Sequence, residues 1–147
     1  MISGESLSAA DSTRHTMLME TVRDIERIGD HFENIIELVD YQLNNRVNIT
    51  EDAFEDLDEM FTLTIATVQK ALSALNTNSH ELAREVAEQE DLIDKMERKF
   101  RKKHILRLNE GKCTAQAGIV FVDIVSNLER IGDHAVNLAE AILGNRA

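Results

Sequence analysis

The segment Asp24-Ile-Glu-Arg-Ile-Gly-Asp-His-Phe-Glu-Asn34 recurs 103 residues later as Asn127-Leu-Glu-Arg-Ile-Gly-Asp-His-Ala-Val-Asn137. Seven of the eleven aligned positions are identical. Both copies lie in stretches whose apolar residues recur every three or four positions, a spacing that is typical of amphipathic helices. Two copies of one helix at this distance predict a duplicated unit of about a hundred residues. The chain therefore holds one whole unit, preceded by the last helix of another.

The composition predicts that the chain is helical throughout. Its 147 residues include no proline and only six glycines, whereas sheets and turn-rich folds use both residues to end their elements. Asparagine-rich breaks and Gly111 divide the chain into four helices at about residues 8–45, 50–76, 79–108 and 114–143. Long helices joined by short loops fold back on one another. We therefore predict one all-α domain over residues 1–147, built as an antiparallel bundle of four long helices.

The charge balance excludes several classes of function. Sixteen basic and 27 acidic side chains give a formal net charge of −11, which repels phosphodiester backbones and argues against nucleic-acid binding. The single cysteine, Cys113, forms no intrachain disulfide. No apolar run reaches the roughly 18 residues of a membrane span. The sequence also lacks a nucleophile–base pair and a glycine-rich phosphate loop, so we expect no enzymatic activity.

Carboxylates four positions apart mark three of the predicted helices. The pairs are Glu26 with Asp30, Glu90 with Asp94, and Glu129 with Asp133. A spacing of four places both acids on one helical stripe, about 6 Å apart, where like charges repel. Converging pairs would form a pocket of hard oxygen ligands for Mg, Mn, Ca or Fe. Alternatively, Arg27 and Arg130 pair with these acids and leave a salt-bridged helix face.

A glycine lies beside the acids in each copy of the repeat, Gly29 in the first and Gly132 in the second. A glycine inside a helix costs about 1 kcal/mol relative to alanine. Close approach of a neighbouring helix would offset that cost. We therefore expect both glycines to face a packed neighbour.

The two repeated segments resemble the PhoU family of phosphate-uptake regulators. The repeat of that family is a three-helix unit with E/D-x-x-x-D motifs on its second and third helices, and some members bind iron or other metals through these acids. The resemblance implies that the three acidic pairs are metal ligands. It also implies a divalent or ferric ion, Fe, Mn, Mg or Zn, as the cofactor.

The region from Arg101 to Cys113, followed by Ala117 to Ile124, is similar to the cytoplasmic PhoU-like C-terminal domain of bacterial Na/phosphate cotransporters. This resemblance implies a regulatory domain at the cytoplasmic face of the cell membrane, with the membrane domain of the same transporter as its partner. The alternative is a freestanding PhoU-type adaptor between an ABC transporter and a sensor kinase. A third alternative is a helical module without metal. The incomplete first repeat also allows a homodimer, in which a second copy completes the missing helices.

One basic run interrupts this acidic chain. It extends from Arg98 to Arg107, and its candidate contact residues are Arg98, Arg101, Lys102, Lys103 and Arg107. They fall in the last turns of the third predicted helix, where cations interact favourably with the helix dipole. Alternatively, the run contacts an acidic partner or the anionic inner leaflet.

Two histidines, His31 and His134, follow the motif aspartates directly. On a helical wheel each lies about 100° from its aspartate. None of the five histidines follows a glutamate by three positions, as a ferritin-like di-iron site requires. We therefore expect surface or interface positions for both.

Overall fold

The computed structural model describes residues 8–144 as four helices joined by short loops. They are α1 (Ala9–Asn44), α2 (Glu51–Thr77), α3 (His80–Asn109) and α4 (Ala115–Leu143). Every boundary lies within one residue of its predicted position, and the all-α, four-helix prediction is confirmed. The predicted domain limits, 1 and 147, lie outside the described residues. Among these four helices, none has an apolar stretch long enough to cross a membrane.

Local side-chain chemistry sets where each helix begins and ends. Every helix starts after a hydroxyl side chain that accepts a hydrogen bond from a backbone N–H three residues further on. These four residues are Ser8, Thr50, Ser79 and Thr114. Helices α2 and α4 end at residues in the left-handed conformation, Asn78 (φ 52°) and Gly144 (φ 76°). Gly111 adopts the same conformation (φ 70°) just after α3.

Helices α2, α3 and α4 form a three-helix unit, and α1 packs on another side of α4. Within residues 8–144, the backbone of α1 comes close to that of α4 alone, whereas α4 packs against all three other helices. The buried residues of α4 accordingly include most of its large apolar side chains. The fully buried ones include Val120, Phe121, Val125, Leu128, Ile131 and Leu138. This arrangement agrees with one whole three-helix repeat preceded by the last helix of another.

Apart from Met60, the buried residues of α2 are small or polar. Thr64 and Thr67 are fully buried, and the hydroxyl of Thr67 donates a hydrogen bond of 2.9 Å to Oε1 of Gln89 in α3. The apolar spacing of the sequence favours burial of Phe61 and Leu72, but both remain exposed. Small side chains occupy most of the buried positions of α2, because they let α3 and α4 approach this helix closely.

Candidate metal centre

Three carboxylates from α3 and α4 converge on one point of the three-helix unit. Glu90, Asp94 and Asp133 each place one oxygen within 4.8 Å of the others. The two helices come close here because Gly132 is buried and has no side chain. A Cβ at this glycine would lie 3.2 Å from Cδ1 of Ile93 in α3. The close approach expected at Gly132 is therefore confirmed, and it sets Asp133 opposite the acidic pair of α3.

Burial and mutual repulsion change the titration of this cluster. Partial burial raises the pKa of Glu90 to about 8, and hydrogen bonds and repulsion from Asp94 and Asp133 add to the rise. Burial also raises the pKa of Glu129 to about 7, with the charge of Asp133 as the next cause. Crowded acids therefore hold protons at neutral pH where isolated carboxyls do not.

Within residues 8–144, basic side chains do not relieve this crowding. In the part of the chain that the structure describes, none of Glu90, Asp94, Glu129 and Asp133 takes part in a salt bridge. Arg130, which the ion-pair alternative pairs with these acids, is exposed. A cation bound between the carboxylates would remove the repulsion. The all-oxygen donor set fits Fe, Mn or Mg better than Zn, whose sites in proteins are richer in nitrogen and sulfur.

The remaining predicted pair, Glu26 and Asp30, lies elsewhere. Both residues are exposed on α1, and α1 packs against α4 without approaching α3. The structure therefore does not bring this pair to the other acids, although its local sequence matches that of Glu129 and Asp133. Metal binding by Glu26 and Asp30 stays a prediction.

The basic run divides between the interior and the surface. Nη1 of the buried Arg107 lies 2.8 Å from Oδ2 of Asp52, and Nζ of Lys103 lies 2.9 Å from a carboxylate oxygen of Asp56. These ion pairs tie the end of α3 to the start of α2, which is a structural role. The other three members are Arg101, which pairs with Glu97, and the exposed Arg98 and Lys102. Contact with a membrane or partner stays a prediction for the exposed members.

The two copies of the repeated segment pack against each other, antiparallel, in α1 and α4. Nδ1 of His31 lies 2.9 Å from Oδ1 of Asn127. At the equivalent place in the other copy, Nδ1 of His134 lies 3.0 Å from Oδ1 of Asp24. The two imidazoles stack with their centroids 5.6 Å apart. Further bonds of 3.2 Å come from the amides of Asn34 and Asn137.

These matched contacts relate α1 and α4 by a quasi-twofold axis. Each contact made by one copy is repeated by the residue 103 positions along the chain. Both histidines lie in this interface, as expected. Asp24 and Asn127 were not predicted as their partners. The spacing could have indicated them, because each lies seven residues, or two helical turns, before the histidine of its own repeat.

Several known proteins are similar to this chain. The phosphate-specific transport system accessory protein PhoU homolog 1 of Thermotoga maritima is 33% identical over 126 residues, which are 86% of this chain and 53% of that protein. A PhoU homolog of the same description from Streptococcus pneumoniae is 25% identical over 126 residues, 86% of this chain and 57% of that protein. The homolog from Aquifex aeolicus is 36% identical over 95 residues, 61% of this chain and 42% of that protein.

The chain thus spans about half the length of these curated relatives. No solved structure matches it. The family model described as the PhoU domain matches residues 1–39 and 57–142, which is most of the sequence. The matched residues include all of α3 and nearly all of α4. The chain belongs to the PhoU family.

Proposed function

We propose that this chain regulates phosphate uptake as an accessory protein of a phosphate-specific transport system, acting at the cytoplasmic face of the cell membrane. Membership of the PhoU family supports this role, and so do the names of the relatives, which are accessory proteins of such systems. Those names favour the freestanding adaptor over the cotransporter domain that the sequence analysis put first. The chain acts by helix–helix contact with its partner.

The proposed function includes a hard metal ion, Fe, Mn or Mg, held by Glu90, Asp94 and Asp133. The observation that carries this part is the convergence of three carboxylate oxygens within 4.8 Å of one another. Glu129 lies close enough to Asp133 for its pKa to rise, so its charge also favours a cation. Because the ligands come from two helices, an ion would hold α3 and α4 together at this level.

Metal content tests the site directly. The protein is purified without chelators or a histidine tag, then measured by inductively coupled plasma mass spectrometry before and after incubation with Fe or Mn. We expect at least one hard ion per chain in the wild type, and none in Asp133→Asn. The repeat supplies a matched control, Asp30→Asn, because Asp30 is the equivalent residue on α1 and is exposed. Metal-free wild-type protein after incubation, or equal loss in both variants, contradicts the site.

Phosphate uptake tests the role in regulation. A host strain lacking the gene is complemented with wild type or Asp133→Asn, and uptake of radiolabelled phosphate is followed in phosphate-rich and phosphate-poor medium. We expect loss of the gene to abolish the difference between the two media. Unchanged uptake in both media contradicts the proposal. Regulated uptake that requires sodium would instead favour the cotransporter domain.

A further inference from the structure

The C-terminal half of α3 is strongly cationic, although the whole chain is acidic. From Lys95 to Asn109 this helix carries seven lysines and arginines and one acid, Glu97. Three of the seven form the ion pairs described above. The other four are exposed, and none of them takes part in a salt bridge within residues 8–144: they are Lys95, Arg98, Lys99 and Lys102. Four charges on this part of α3 are therefore available to a partner outside the described chain.

Large apolar side chains lie among these four cations. Leu92, Ile105 and Leu106 are 48%, 55% and 58% exposed, whereas no acid of α3 is exposed between Leu92 and Asn109. Intervals of three and four positions place five of these residues on one stripe of the helix, about 21 Å long: Leu92, Lys95, Lys99, Lys102 and Leu106. The four cations and the three apolar residues together form the cationic face of α3.

Most of the negative charge of the chain lies on other helices. Together α1 and α2 contain 14 acids and four basic residues, so they account for a net charge of −10. Two of those acids, Asp52 and Asp56, already pair with α3. Within residues 8–144, no Cα atom of α1 lies within 8 Å of one in α3, and exposed charges more than about 8 Å apart are largely screened at physiological ionic strength. The cationic face therefore attracts anions locally.

The exposed apolar stripe of α1 differs from this face in its charge. Leu18 and Ile36 on α1 are 60% and 61% exposed, and a Cβ at Gly29 would meet nothing within 4 Å. The close approach expected at Gly29 is therefore absent within residues 8–144. Because α1 carries eight acids and only three arginines, an anionic surface would repel it. Among the four described helices, α3 alone combines exposed apolar side chains with several unpaired cations.

We propose that the cationic face of α3 binds the headgroups of an anionic lipid bilayer, with the helix lying along the surface. Basic helices that also expose apolar side chains bind membrane surfaces in this way. Lysine supplies three of the four unpaired cations, and protein interfaces are depleted in lysine and enriched in arginine. The compact charge of lysine needs no partner of fixed geometry, which suits a surface of many anionic headgroups. The face therefore fits a lipid surface better than an acidic protein.

Flotation with lipid vesicles tests the proposal. The protein is mixed at low salt with vesicles of phosphatidylcholine alone, or of an equal mixture of phosphatidylcholine and phosphatidylglycerol. We expect wild type to float with the anionic vesicles only, and the bound fraction to fall as salt is added. The triple variant Lys95→Gln, Lys99→Gln, Lys102→Gln should bind about a hundredfold more weakly, because each cation near an anionic surface changes the affinity roughly fivefold.

Helix α1 provides the matched control. The triple variant Arg14→Gln, Arg23→Gln, Arg27→Gln makes the same change in net charge at exposed sites and should bind as wild type does. Circular dichroism checks that both variants are helical. Equal weakening in both triple variants overturns the proposal, because net charge alone would then govern binding. Wild type that does not bind anionic vesicles, as expected if an acidic protein occupies the face, also overturns it. The vesicles contain no transporter, so this failure is distinguishable from failure of the proposed accessory role.

Tryptophan fluorescence tests which side of the molecule meets the lipid, because the chain contains no tryptophan. Leu106→Trp places the probe on the cationic face, and Leu18→Trp is the matched control at a similarly exposed site on α1. With anionic vesicles we expect the emission of Leu106→Trp to shift to shorter wavelength and to be quenched by brominated lipid. The emission of Leu18→Trp should stay as it is in buffer. Vesicle binding without a shift in Leu106→Trp, or with an equal shift in both variants, overturns the contact through α3.

Discussion

Metal binding at the acidic cluster should release protons, in a number that follows from the titration of two carboxyls. With a pKa of about 8, Glu90 is about nine-tenths protonated at pH 7, and Glu129, with a pKa of about 7, about half. A metal ligand must be ionised. We therefore expect about 0.9 proton per ion from Glu90 and up to about 0.5 from Glu129 at pH 7.

Proton release also sets the pH dependence of affinity. Between pH 6 and pH 7 the apparent affinity should rise roughly tenfold or more, and it should level off above about pH 9, where both carboxyls are already ionised. Isothermal titration with Mn²⁺ in two buffers of different ionisation enthalpy measures the number of protons at each pH. Saturation at a hundred times the dissociation constant should add about 2.7 kcal/mol to the free energy of unfolding.

Substitution identifies the source of the protons. Glu90→Gln should remove about 0.9 proton from the release at pH 7, whether or not it also weakens binding. Glu26→Gln is the control, because Glu26 occupies the position of Glu129 on the exposed part of α1. Mn²⁺ that binds the wild type with less than about 0.2 proton released at pH 7 would refute the reasoning, because the site would then consist of ordinary, already ionised carboxylates.

Three further predictions concern stability. In chelator the melting temperature should fall as the pH rises from about 4.5 to 8, because the folded state holds a proton on Glu90 that the unfolded state has lost; Glu90→Gln should flatten this slope. Gly118→Ala should lower the free energy of unfolding in urea by about 2 kcal/mol, since the added Cβ would lie 2.4 Å from Cε1 of His104. An unchanged free energy of unfolding would contradict this, because it would mean that the imidazole moves aside freely. Arg107→Ala should cost about 3 kcal/mol by leaving carboxylates of α2 with less compensating charge, while Arg98→Ala on the surface should change little; equal effects would contradict the buried ion pairs.

The helix boundaries were predictable because their causes are local. Thr50 and Thr114 cap the helices that follow them through hydrogen bonds spanning three residues, and Gly111 marks the end of α3 through its own backbone conformation. Such interactions do not depend on which helices become neighbours. A pattern in the sequence is then sufficient to place the ends of the helices.

The partners of the acidic pairs were not predictable in the same way. Glu26 with Asp30 and Glu129 with Asp133 have the same spacing and nearly the same neighbours in sequence. Only the second pair meets α3, because α3 packs on α4 and not on α1. The repeat indicates that both surfaces pack against helices, but it does not say which are covered within the chain.

The ion pairs of Lys103 and Arg107 with α2 could have been inferred from spacing. Lys103 and Arg107 are four residues apart on α3, as are Asp52 and Asp56 on α2. When two antiparallel helices bring such stripes level, two ion pairs form at once, as the structure shows. Neither interaction predicted for this run, with the dipole of α3 or with a partner or membrane, involves α2.

The dependence of α1 on α4 has a consequence for biosynthesis. The only helix in residues 8–144 whose backbone packs closely against α1 starts about 70 residues after α1 ends. At translation rates of 5–20 residues per second, that interval lasts roughly 4 to 14 s. During this time the nascent α1 has no close backbone partner among residues 8–144, while α2 and α3 already have each other. Emergence of the last helix therefore completes the three-helix unit and the docking of α1 in a single late step. A ribosome that stalls before Ala115 holds a chain in which the side of α1 that α4 covers in the folded protein is still in contact with solvent.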